Sequence, residues 1–173
     1  MAKKFENYLT GRLGEYLACA ELGRKGYIAT SFSGNVPEFD LLIVNKKLQI
    51  LPMQVKTSKT GSWRANANEW LNITVDDNDG SQKDNGDKEI ENPTLIYMYI
   101  SLGKESKDDR FFILNKKQLQ EVIGKHYRLD MDGRNWKRPK NYKSFDCRFK
   151  ITEIQQYEDN WKLIEEQIET QYH

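Results

Sequence analysis

Four side chains in the first third of the chain have types and spacing suited to holding a hard cation beside an ammonium group: Glu15, Asp40, Gln54 and Lys56. A divalent ion such as Mg²⁺ (or Mn²⁺) is bound by oxygen, commonly through one or two carboxylates, with waters and a substrate phosphate completing the shell. Asp40 is the natural central ligand. Glu15 can bind directly or through a water, and the Gln54 side-chain carbonyl is a weaker, neutral donor. Lys56 beside such an ion can orient or deprotonate an attacking water and stabilise the charge that grows at phosphorus, while the ion supplies Lewis acidity and a more acidic water.

The elements that must position these groups follow from hydrophobic spacing. Phe5, Leu9, Leu13, Tyr16, Leu17 and Ala20 recur at helical intervals, which predicts a helix from Phe5 to about Arg24, with Gly26 as its stop. Extended segments are expected over Tyr27–Phe32, Phe39–Val44 and Leu48–Thr57, the last two joined tightly at Asn45-Lys46-Lys47. Pro52 argues for a bulge or an edge in the third of them. Side chains alternate faces along a strand, so Gln54 and Lys56 share a face with Val55 pointing away, and a hairpin centred near Lys46–Lys47 sets Asp40 across from residues 53–54. A slip of one residue would undo this register.

Each group also has an ordinary explanation. Asp40 can be a strand-edge acid, but an acid set among Leu41, Leu42, Ile43 and Val44 is unusual. Glu15 can pair with Arg12. Its helical neighbours Gly11, Ala18, Cys19 and Leu22 are small or apolar, however, and a carboxylate on such a face needs a cation. Gln54 and Lys56 alone are compatible with a solvated sheet face. Thr57 and Ser58 at the strand end, and Lys59 and Arg64 beyond it, are candidate phosphate contacts.

Gly14-Glu15 on a first helix, then Pro37-Glu38-Phe39-Asp40-Leu41-Leu42-Ile43, then Gln54-Val55-Lys56-Thr57-Ser58 resembles the PD-(D/E)xK nuclease superfamily, the restriction endonuclease-like and Holliday-junction-resolvase-like proteins. The resemblance covers about residues 8–60. It implies an α/β fold with an αβββαβ core, a mixed central β-sheet flanked by helices, a divalent metal and hydrolysis of DNA phosphodiester bonds. By position, Asp40 resembles the family's first acid, Lys56 its lysine and Glu15 its helix-one glutamate. The chain departs from the pattern at Gln54, which stands where the family usually has an acid, a Gln-x-Lys variant. The missing carboxylate bears on metal affinity and on catalytic competence. Glu15 can replace it, and Glu38 can point the same way. The alternative is a catalytically weakened module of this fold that binds nucleic acid or a protein partner without cutting. A third reading is an α/β interaction protein with no metal and with the four residues apart.

The remainder of the sequence narrows the field. The 173 residues suit one domain, and their net charge of +1 hides an asymmetry. Residues 76–91 hold seven acids against two lysines, whereas residues 134–150 hold seven cations against Asp146. The acidic stretch, about 76–92, is expected as a long mobile loop. The basic one is expected to be mostly irregular, its aromatics Trp136, Tyr142, Phe145 and Phe149 serving either as core or as stacking platforms for bases. Strands are expected over Thr94–Leu102 and Arg110–Leu114, a helix capped by Asn115 over about Lys116–Gly124, and a final helix over about 152–171 with the stripe Ile154, Tyr157, Trp161, Ile164 and Ile168. Two cysteines and two histidines leave little material for a disulfide framework, a zinc site or a serine triad. There is no phosphate-binding Gly-Lys-Ser/Thr loop and no dinucleotide fingerprint. Free thiols and the lack of a leader or apolar span are expected of a cytoplasmic chain without a membrane partner. DNA is the expected partner, and a homodimer would serve cleavage of both strands.

Overall fold

The structure is a computed structural model and describes residues 2–32 and 38–172. Pro37 of the motif above lies outside the described residues. Helix α1 (Ala2–Arg24) is followed by strands β1 (Ile28–Ser31), β2 (Leu41–Val44), β3 (Ile50–Ser58), β4 (Ser62–Asn66), β5 (Leu71–Val75), β6 (Gln82–Asp87), β7 (Ile96–Ser101) and β8 (Arg110–Asn115). Helix α2 (Lys116–Asp132), strand β9 (Asp146–Lys150), the short α3 (Ile151–Ile154) and α4 (Lys162–Tyr172) complete the chain. The central sheet runs β1-β2-β3-β7-β8, with β3 and β7 parallel and the other neighbours antiparallel. The fold is therefore mixed α/β, with a mixed central sheet flanked by helices. A parallel pair needs a long crossover. Here β4, a 3-10 turn at Ala67–Glu69 and the β5–β6 hairpin supply it, where an αβββαβ order would place a helix.

The period of two along β3 and β7 sorts their side chains to two cores. Met53, Val55, Ile96, Met98 and Ile100 meet Ala18 and Leu22 of α1 and Leu163, Ile164 and Ile168 of α4 on one face. Tyr97, Tyr99, Phe112 and Leu114 meet Trp63, Phe149, Leu119, Ile123 and Tyr127 on the other. Pro52 pairs with Leu42 of β2, while pairing with β7 begins only at Met53. At Pro52 the strand is thus locally an edge, and no amide is required of it.

Several expected elements are corrected. On α1, whose helix extends from Ala2, the residues Phe5, Leu9, Leu13 and Tyr16 that predicted it are exposed, as is Tyr8. The buried positions are Gly14, Ala18 and Leu22, and at Gly14 α1 lies so close to β3 that a Cβ would sit 1.6 Å from Thr57 Oγ1 and 2.8 Å from its Cβ. Overpacking of this kind costs about 1–3 kcal/mol. Gly14→Ala is expected to destabilise the protein by about that amount in urea unfolding. Adding Thr57→Ala should recover part of the loss, a coupling that a double-mutant cycle reads directly.

The acidic stretch carries β6 and folds as a hairpin with β5. Asp76 and Asp79 form its turn, accepting from the Asn78 and Ser81 amides. The basic stretch meets this turn: Lys143 pairs with Asp77 and Lys137 with Asp79, both at 2.9 Å. The Asp79 carboxyl is held well below its usual range by Ser81 and Lys137. Buried Gln82 donates to the Tyr142 and Ser144 carbonyls and accepts from Tyr127. The charge asymmetry of the sequence is in good part an internal complement.

The basic stretch also contains β9, which pairs with β4. The capping box at Asn115 is present, with Asn115 and Gln118 exchanging backbone-to-side-chain bonds of 2.9 Å, but α2 runs past Gly124 to Asp132. The final helix is broken. Asp159, at φ +50°, turns the chain across β8, where its amide donates to the Phe111 carbonyl and Arg110 pairs bidentately with Glu158. Ile154 thus joins one core and Ile164 the other.

Candidate functional site

Strand β3 outruns β2. Pairing ends at Leu41↔Met53, and β3 continues to Ser58 with no strand beside that flank among the described residues. Asp40 and Gln54 lie at the notch so formed. Asp40 sits one residue before β2 and, one step beyond the last pair, opposite Gln54. Its amide donates to the Met53 carbonyl at 2.9 Å, and its Oδ2 accepts from the Val55 amide at 2.8 Å. The carboxylate thereby satisfies a β3 donor that lacks a strand partner and is itself fixed to the strand carrying Gln54 and Lys56. Just before it, Glu38 adopts φ +78°, a left-handed conformation uncommon outside glycine, which bends the chain into the notch.

Gln54 is half-buried and Lys56 exposed, side by side on one face of β3 with buried Val55 between them on the other. Their β7 neighbours are Tyr97 and Tyr99. Glu15 approaches from α1. It forms the ion pair with Arg12 that helix spacing allows, at 2.6 Å, yet its side chain is only 17% exposed. Its carboxyl is pushed up chiefly by burial; Arg12 opposes this, Asp40 adds to it, and Lys56 draws it back. Glu15 therefore lies within electrostatic reach of Asp40 and of Lys56, although α1 packs on the face opposite Gln54.

Thr57 and Ser58 do not offer their hydroxyls to a ligand. Thr57 Oγ1 is buried against α1 at Gly14. Ser58 Oγ accepts from the Thr60 and Ser62 amides and donates to the Ser62 carbonyl, closing the turn into β4. Both are corrected from phosphate contacts to packing and turn residues. Lys59 lies exposed in that turn, and Arg64 lies exposed on β4. Trp136, Phe145 and Phe149 pack on the core and are not free stacking platforms. Tyr97 escaped the sequence reading. It is buried beside Gln54, and its hydroxyl is pushed up to about 12 by burial and by Glu38, Glu69 and Asp40. The signal was present in the alternation of Tyr97 and Tyr99 with Met98 in an otherwise aliphatic strand.

Among the described residues no group of three or more His, Cys, Asp or Glu is placed to hold a metal ion. The candidate donors, Glu15, Asp40 and Gln54, are two carboxylates and one amide oxygen. That set suits a hard ion that keeps several waters, as Mg²⁺ does, rather than a closed protein cage. The Glu15 carboxyl, raised chiefly by burial and further by Asp40, is also one whose ionised form a cation would favour. No described helix is long and apolar enough to cross a membrane.

No protein-family model matches the chain, and no curated protein matches it in sequence. Among solved structures, that of a bacterial homing endonuclease, I-Ssp6803I, is similar, with a TM-score of 0.53 and 13% identity over 96% of this chain and 97% of that one. At that identity the likeness is one of fold: the chain has a fold that a nuclease also has.

Proposed function

We propose that the protein is a metal-dependent nuclease of the PD-(D/E)xK type, a Gln-x-Lys variant that hydrolyses DNA phosphodiester bonds at the β3 notch. The observation that carries this reading is the Asp40 carboxylate, bonded to the Val55 amide opposite Gln54, with Glu15 within electrostatic reach of both Asp40 and Lys56. The fold shared with a homing endonuclease supports it. Asp40 would hold the ion at the strand edge, with Gln54 beside it on β3 and Glu15 reaching it from α1 directly or through a water; when bound the ion supplies Lewis acidity and a more acidic water. Asp40 presents its charge from a fixed position because one oxygen is tied to β3. Lys56, exposed at the same face, meets the phosphate and stabilises the charge that develops in the transition state. Tyr97 stays neutral at working pH and walls the amide of Gln54.

The test is titration of Mg²⁺ and Mn²⁺ against plasmid, branched and single-stranded DNA. Metal-dependent cleavage that Asp40→Ala and Lys56→Ala both abolish is the expected result, and cleavage that survives either change removes the mechanism. A second reading, a module that binds without cutting, is favoured by the Arg12–Glu15 pair and by the amide at residue 54. It predicts DNA binding with no cleavage under any metal.

Glu15 gives the reading a pH signature. Its folded pKa is raised, so its ionised form is penalised. The stability it contributes is fully present below its unfolded pKa and is lost as pH rises through the folded value. A cation favours the ionised form, so Mg²⁺ binding should tighten as pH rises through that range and should release protons. Calorimetry in buffers of different ionisation enthalpy reads the release. Glu15→Gln should abolish it, and an unchanged release would assign the proton elsewhere.

A further inference from the structure

Strands β4 and β9 form a two-stranded antiparallel ribbon with two unlike faces. Trp63, Cys147 and Phe149 point into the core. The alternate positions point outward, and the register sets Arg64 directly opposite Arg148 and Ser62 opposite Lys150. Residues directly opposite have Cβ atoms about 4.5–5.5 Å apart, and like charges so placed destabilise a ribbon. The acids nearby are engaged elsewhere: Asp130 with Arg134 and Arg138, and Glu153 with His126. The acidic hairpin takes Lys137 and Lys143. The ribbon's own acid, Asp146, stands at its far end opposite Asn66. Among the described residues Arg64, Arg148 and Lys150 form no ion pair. These three cations border a cleft of about 410 Å³ that also carries Arg134 and Arg138 and the acids Asp130 and Asp146. The ribbon is the continuation of β3, one turn past the notch, and Trp63 packs edge-on against Tyr99, the β7 neighbour of Lys56.

We propose that the outer face of the β4–β9 ribbon is the docking surface for duplex DNA, with Arg64, Arg148 and Lys150 neutralising backbone phosphates. The proposal rests on the nuclease reading and says where that enzyme holds its substrate. A two-stranded ribbon fits the width of the B-DNA major groove, whereas the A-form major groove is too narrow and deep for it. A phosphate between Arg64 and Arg148 turns a repulsive pair into a bridged one, so the arrangement makes sense with an anion present. Four other basic positions of the segment, Arg134, Lys137, Arg138 and Lys143, already pair with acids within the fold.

The test is anisotropy of a fluorescent duplex, without divalent metal, across a salt series. It compares the wild type with the triple variant Arg64→Gln, Arg148→Gln, Lys150→Gln. Each neutralised phosphate contributes about 0.9 to the slope of log affinity against log salt, so the variant's slope should be shallower by about 2–3 and its affinity at least about tenfold weaker. Lys46→Gln with Lys47→Gln, on the β2–β3 turn, should leave the slope unchanged. Arg148→Gln alone should raise the melting temperature or leave it unchanged while weakening binding, which separates loss of contact from loss of fold. An unchanged slope in the triple variant overturns the proposal, as does wild-type binding to single strands as tight as to duplex. An inactive wild type that binds through the ribbon would sink hydrolysis and spare docking. An active wild type whose triple variant binds and cuts unchanged would do the reverse.

Discussion

Asp40→Asn is expected to keep the melting temperature of the wild type while cutting DNA on the order of a thousandfold more slowly. Two roles meet in this side chain, and the substitution separates them. An asparagine oxygen can still accept from the Val55 amide, so the bond that fixes the start of β2 to β3 survives. The negative charge does not. A Lewis-acidic ion contributes several kcal/mol of transition-state stabilisation, and each 1.4 kcal/mol is tenfold in rate, so loss of its central ligand falls in that range. Asp40→Ala removes both roles. It leaves the Val55 amide without its acceptor, at a cost of about 1–3 kcal/mol. Thermal melts and single-turnover cleavage on the three proteins give the answer. Equal instability of both variants with cleavage retained would reduce Asp40 to a strand-edge cap. Cleavage by Asp40→Asn at the wild-type rate would remove the cation from the mechanism.

The notch was legible in sequence because its members stand out locally. Asp40 interrupts an apolar run, and the short turn at Asn45–Lys47 fixes the register that brings it to residue 54. Glu15 stands out because Ala18 and Leu22 beside it are core residues. The ribbon was not legible as a pair, since β4 and β9 are five residues each and lie far apart in the chain, and no local signal encodes such a pairing. Half of it was nonetheless written in the alternation of Asp146, Cys147, Arg148, Phe149 and Lys150. Strand β6, Gln-Lys-Asp-Asn-Gly-Asp, has no strand propensity and exists because Gln82 and the Arg128 pairs to Asp84 and Asp87 hold it. The last helix misled because helical spacing happened to continue across two elements that lie on opposite faces of the sheet. The stripe on α1 gave the helix but not its buried face: close packing selected Gly14 and Ala18 there, with Leu22 the one large side chain beside them, and the large apolar residues nearer the helix start mark the outside.

Lys56→Met should slow cleavage by about 10²–10⁴-fold with little change in DNA affinity or stability, and the combination is what makes the test specific. The side chain is exposed on β3, whereas the strand's pairing with β7 is a backbone matter and the core beneath is carried by Val55. Methionine keeps length and apolar stem and removes only the ammonium. A surface position of this kind changes stability by no more than about 0.5 kcal/mol. If Lys56 acts on the reacting phosphate, the loss appears in the rate at saturating DNA. If it were one more cation on a binding face, the loss would appear in affinity and in the salt slope, as expected for Arg64 and Arg148. Lys56→Arg refines the distinction, because a guanidinium restores charge but not the compact ammonium or its capacity to give up a proton. Wild-type affinity without recovery of rate would place Lys56 in the chemical step. Full rescue of rate would limit it to electrostatics, and a wild-type rate in Lys56→Met would exclude it from the reaction altogether.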